Sequence, residues 1–240
     1  MARIGRTANP ALSGEVFGKE ASKQNPATAA EQGVMTVDGT VWRTFFLFVV
    51  MLFPAWYTYG LVGTGASVSP YMWGGAIGGF VVALVTIFKK AWSPYTAPLY
   101  TFLQGLFLGA ISGIYESQFQ GIVLQAVGLT FGTLFFMLTA YLFGWIKVTE
   151  KLRSGIMIAT GSVGVVYLIS MMVNLFGGSV PYIHGSGLIG IGFSLVVVGI
   201  AAMNLLLDFE FINEGAQQQA PQYMEWFAGF GLMVTLIWLY

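Results

Sequence analysis

Asn204, Asp208, Glu210 and Glu214 crowd into one stretch, MNLLLDFEFINEG (Met203–Gly215), where an apolar run that begins at Leu188 comes to its end. A carboxyl group so close to hydrocarbon is costly unless it is paired, hydrated or protonated. An ionisable residue at such a depth is a functional-site hypothesis by default. Asn204 and Asp208 are four apart and share one helix face, so both are expected to point into the protein. Glu210 lies nearly opposite Asp208, with Glu214 one turn further on, and this pair is expected to face headgroups and water. An anion is also badly placed at a helix C-terminus, whose dipole is negative. Asp208 therefore asks for a proton, a cation such as a permeant metal ion, or a partner residue. The plainer reading, that it is merely the first interfacial residue after a span, stays open on sequence alone.

Little else in the chain suggests chemistry. His184 and Ser186 stand in an HGSG segment. A nucleophile and its base need rigid support, which a glycine-flanked loop does not give, so this reads as a surface loop. There is no His-Glu-x-x-His run, no cysteine and no phosphate-cradling Gly-Lys-Ser/Thr. An enzyme is not expected, nor a cofactor. Gln104, Gln125 and Asn174 read as buried amides that join helices, Gln104 also as an accessory to the site. Glu225 is the nearest acid after the Asp208 cluster, a second accessory candidate at the headgroup end of its helix.

These groups must be positioned by membrane helices. The chain has 240 residues, 56% hydrophobic and only 8% charged, against about 25% charged in an ordinary soluble domain. The solvent for such a surface is lipid. Zero net charge gives no basic field for nucleic acid. Runs of about twenty apolar residues mark spans at Val41–Val62, Pro70–Phe88, Pro98–Tyr115, Ile122–Trp145, Gly155–Phe176 and Leu188–Asp208, with a last one from Met224 to Tyr240. Asp38 is the expected N-cap of the first span and Arg43 its snorkelling anchor. The fold class is all-α, a polytopic membrane protein. Residues 1–37 form a polar, mostly disordered arm without a signal-peptide core, and residues 38–240 form the transmembrane domain.

All ten Lys and Arg fall before span one or its start, after span two, or after span four. That asymmetry predicts a cytoplasmic N-terminus, with the Asp208–Pro221 segment on the same side. Gly74/Gly78, Gly75/Gly79, Gly105/Gly109/Gly113 and Gly128/Gly132 predict close helix seams. The seventh span is short for a bilayer, about 25 Å against about 30 Å, which suggests a helix cut off at its C-terminal end.

Span three, APLYTFLQGLFLGAISGIYE (Ala97–Glu116), together with MTVDGTVWRT (Met35–Thr44) and LLLDFEFINEG…MEWFAGFGLMVTLIWLY (Leu205–Tyr240), resembles the Bax inhibitor/YccA-like (TMBIM) family, in its bacterial branch with a longer polar arm. The resemblance implies seven helices, six arranged around the seventh. It also implies a pH-sensitive calcium leak in the bacterial inner membrane, controlled by carboxylates on the sixth and seventh helices. Asp208 matches the sixth-helix acid. The seventh-helix acid would follow Leu239-Tyr240, where this sequence stops, and Gln104 stands where many members carry glutamate. Two close carboxylates share a proton and titrate as a unit, and once ionised they offer oxygen ligands to calcium. The expected partners are thus the lipid bilayer, calcium ions and protons. The rival reading is a non-conducting regulator that binds a membrane protease or another membrane protein.

Overall fold

The computed structural model describes residues 33–176 and 187–240. The expectations for the arm up to residue 32, and for His184 and Ser186, lie outside the described residues. Seven α-helices follow one another: α1 Val37–Gly63, α2 Ser69–Phe88, α3 Ser93–Gln118, α4 Ile122–Leu142, α5 Glu150–Leu175, α6 Leu188–Gln217 and α7 Tyr223–Leu239, with a 3-10 turn at Lys90–Trp92 before α3. The first six are long and apolar enough to cross a membrane, and α7 is shorter. The protein is an all-α polytopic membrane protein.

α7 is the axis of the core. Met224, Phe227, Phe230 and Met233 are fully buried, and so are Ala228, Gly229 and Gly231 between them. The walls around it are α1, α3 and α6, with lighter contact from α4. Two helices stand further out, α2 packing on α3 and α5 on α6. Along α3, Gly105, Gly109 and Gly113 meet the backbone and side chains of Met51, Ala55, Thr58 and Val62 on α1, so that a Cβ at Gly105 or Gly109 would overlap main-chain oxygen. The opposite face of α3 receives Gly75 and Gly79 of α2. Small residues thus let three backbones approach, which is how helices associate where the surroundings are as apolar as their side chains. The seam expected at Gly128/Gly132 does not form among the described residues, since a Cβ at either would meet open space.

Helix ends differ from the sequence reading where a polar group found a partner. The N-cap of α1 is Thr36, whose hydroxyl accepts from the Gly39 N–H at 2.9 Å, and Asp38 sits inside the first turn. α3 begins at Ser93, five residues before Pro98, because Pro94 suits a first helical turn and the Ser93 hydroxyl donates to Tyr223 O at 2.9 Å. α6 runs on past Asp208 to Gln217, since its acids are held by neighbouring helices. Gln125 and Asn174 are exposed, contrary to the expectation of buried amides. Both sit near the ends of their helices, where an amide reaches past the hydrocarbon.

Candidate functional site

Asp208 lies on the inner side of α6 with 2% of its surface exposed. The Thr235 hydroxyl of α7, itself buried, donates to its carboxyl group. The second oxygen, Oδ2, is buried without any hydrogen-bond partner. On α6 itself Leu205 and Ile212, about one turn to either side of Asp208, are buried in the central core. An ionised carboxylate with an unpaired oxygen in such surroundings is expensive, and a proton or a cation removes the expense. The contact therefore has two chemical states within one helix–helix joint.

The other acids of α6 each have a partner on a different helix, although Oε2 of Glu214, like Oδ2 of Asp208, is buried without a hydrogen bond. Glu210 accepts from the Tyr141 hydroxyl of α4 at 2.8 Å. Glu214 accepts from Arg153 Nη2 of α5 at 2.9 Å, and Arg153 also faces Glu150 at 3.6 Å. These two acids thus point into helix contacts, where headgroups and water were expected. The guanidinium of Arg153 is 4% exposed, with Nε unpaired. Asn204 is buried beside Asp208 in sequence but turns to α5, donating to Thr160 Oγ1 and to Ile200 O, each at 2.9 Å. One face of α6 therefore serves two neighbours: α7 through Asp208, and α5 through Asn204.

Glu225 belongs to a separate cluster. Its Oε1 accepts from the Thr36 N–H at 3.0 Å and the Thr36 hydroxyl at 2.9 Å, and its Oε2 pairs with Arg43 Nε at 3.6 Å. Arg43 in turn lies 4.8 Å over the Trp226 ring. Just before this cap, Val34 bridges Pro221, and the Met35 N–H donates to Ala220 O at 2.7 Å. A carboxylate at the N-terminus of α1 is favoured by the helix dipole, and it fastens the start of α1 to the start of α7. Ten residues of α7, about 15 Å of rise, separate Glu225 from Thr235, so Glu225 is not within reach of Asp208. Gln104 faces α2, its amide nitrogen against Gly79.

Among the described residues no three of His, Asp and Glu gather as a metal cage. Calcium takes about six to eight oxygens, so Asp208 with Thr235 makes at most one station on a path.

The family model described as Bax inhibitor 1 like matches residues 9–240, nearly the whole chain. The chain belongs to the Bax inhibitor 1 like family. No curated protein and no solved structure matches it.

For this Bax inhibitor 1 like protein, the sequence reading missed Thr235, Arg153, Tyr141 and Thr160. Thr235 carried a weak signal, as the lone threonine in the apolar stretch of α7 that follows Glu225. Arg153 was counted only among the flanking cations, because nothing in the sequence places it opposite Glu214. In the bundle the described Lys and Arg do gather at one end. Arg43 meets Glu225, Lys90 stands 5.8 Å from the Phe227 ring and Arg153 meets Glu214, which brings the start of α1, the α2–α3 junction, the start of α5 and the α6–α7 turn together.

Proposed function

We propose that this protein is a pH-sensitive calcium leak, switched by proton exchange at Asp208, with its cationic end facing the cytoplasm of a bacterial inner membrane. The observation that carries the reading is the Asp208 carboxyl group, buried between α6 and α7 with Thr235 on one oxygen and no partner on the other. Protonated, the group sits at ease in the core and holds the joint closed. Ionised, it draws in water or a cation, and α6 separates from α7. Such a joint is a bistable element that a local charge change biases. Asn204, Glu210 and Glu214 keep α6 fixed to α4 and α5 while this happens, so the movement falls on the α7 side.

The test is calcium entry into dye-loaded liposomes containing the purified protein. Wild type is expected to show flux that changes with pH, and Asp208→Asn, permanently neutral, flux that is low and flat across the same range. Equal flux from both at every pH removes Asp208 from the mechanism.

A second reading has its own observation. Residues 33–36 are fastened to the α6–α7 turn and to Glu225, so a protein bound to the preceding arm would act directly on α7. In that reading the chain is a membrane regulator and conducts nothing. Deleting residues 1–32, which leaves the Thr36 cap intact, separates the two: a leak keeps its flux, whereas a regulator loses its membrane-protein partner in a pull-down and shows no flux to begin with.

A further inference from the structure

A cavity of about 320 Å³ lies between α2, α3 and α7, away from Asp208. Phe80 and Ala83 of α2, Tyr100, Gln104 and Phe107 of α3, and Phe230 of α7 line it, and no charged residue does. Tyr100 and Phe230 meet edge to face with their centroids 4.9 Å apart, a fixed aromatic floor. Phe80 stands at the rim with 63% of its surface exposed, so the cavity opens sideways, toward lipid. Its volume is in the lower part of the range for small-molecule sites, about 300–1,000 Å³.

Two polar groups in it have nothing to bond. The Gln104 amide and the Tyr100 hydroxyl hydrogen-bond to no described residue. Gln104 is eleven residues beyond the start of α3 at Ser93, about 16 Å of rise and hence close to the middle of a hydrocarbon core about 30 Å thick. Water is scarce there, and an unsatisfied amide in hydrocarbon is costly. An acyl chain would fill the space and leave both groups unpaired. A fatty acid or a phosphate would bring a charge that the lining does not answer. What fits all three features is a flat, uncharged ring with oxygens at its edge: the aromatic walls take its faces, and the amide N–H and the hydroxyl take its oxygens.

We propose that this cavity binds a neutral, membrane-dissolved ring compound with carbonyl or hydroxyl oxygens, of the benzoquinone class, with Gln104 and Tyr100 as its polar contacts. The ligand touches Phe230, a buried residue of the central helix. Neither Asp208 nor Thr235 lines this cavity, so its polar contacts are not those of the proposed leak.

The experiment is equilibrium binding of a short-tailed benzoquinone to the full chain in phospholipid nanodiscs, with the thermal midpoint read in parallel. Saturable binding that raises the midpoint is expected for wild type, since a ligand of the folded state stabilises it by mass action. Gln104→Leu keeps the volume and removes the amide, and is expected to weaken binding about tenfold. Ala83→Phe fills the space and is expected to abolish it. Tyr100→Phe removes one oxygen and keeps the ring, and gives the same readout where Gln104→Leu does not fold. Gly128→Ala on α4, outside the lining, is expected to bind as wild type does. Uptake proportional to lipid and without saturation would overturn the proposal as mere partitioning. Undiminished affinity in both Gln104→Leu and Tyr100→Phe would overturn it in favour of an acyl-chain groove.

Discussion

Glycine is used in two opposite ways in the two halves of this bundle. In α3, at Gly75, Gly78 and Gly79 of α2 and at Gly229 of α7 it lies at contacts, and the glycines of α3 press on the α1 backbone. In α4 and α5, Gly128, Gly132, Gly155, Gly161 and Gly164 have open space where a Cβ would go. The compact half is joined by backbone approach and the open half by side-chain polar contacts, namely Tyr141–Glu210, Arg153–Glu214 and Asn204–Thr160. α6 belongs to both. Its acids reach back to α4 and α5, and Asp208 reaches forward to α7. A helix anchored by polar side chains on one side and meeting a tight apolar core on the other is well placed to stay fixed while the α7 side of the joint moves.

The largest effect should come from overfilling the compact half. Gly109→Val would drive a branched side chain into Ala55 O and Thr58, and overpacking of this kind costs about 1–3 kcal/mol or more. Loss of monodisperse protein in detergent is expected, whereas Gly132→Val on α4 should purify as wild type does. Equal yields for the two would break the comparison.

Next in size is the polar clamp on α6. Arg153→Met removes the partner of Glu214 and leaves Glu210 in place. Breaking a buried pair from one side costs about 3–5 kcal/mol, less here because Glu214 is 23% exposed, so a loss of about 2 kcal/mol is expected in thermal unfolding. Since this clamp immobilises the α5 side of α6, the same variant should also flatten the pH response of calcium flux. A destabilised variant with an unaltered pH response would show that α6 does not need its outer anchor.

Smaller still is the α1–α7 fastening. Glu225→Gln still accepts from Thr36 but loses the charge opposite Arg43. A cost of about 1 kcal/mol is expected, read as a lower thermal midpoint in low salt. The smallest effect is Gly128→Ala, expected to shift stability by less than about 1 kcal/mol, because nothing within reach opposes the new methyl group.

The seven helices were legible because hydrocarbon length and apolar run length are the same constraint seen twice. Boundaries slipped at Ser93 and beyond Asp208, where a hydroxyl or a carboxyl group kept the helix going through a bond to a residue more than fifty positions away. Asp208 was legible as a costly charge near a span end. Its surroundings were not, because Thr235 is an ordinary residue until α7 is placed against α6. The glycine pattern misled at Gly128/Gly132 for a related reason: spacing says that a close approach is possible, and only the neighbour decides whether one occurs.

The order of residues alone thus determined the class of molecule, its apolar spans and the acid at the end of the sixth, since each depends on the free energy of putting a given side chain into lipid. Which helix became the axis, which glycines touch, and which neighbour each acid of α6 meets were decided only by tertiary structure. Those outcomes depend on the distance between residues far apart in the chain, and composition and spacing carry no record of that distance.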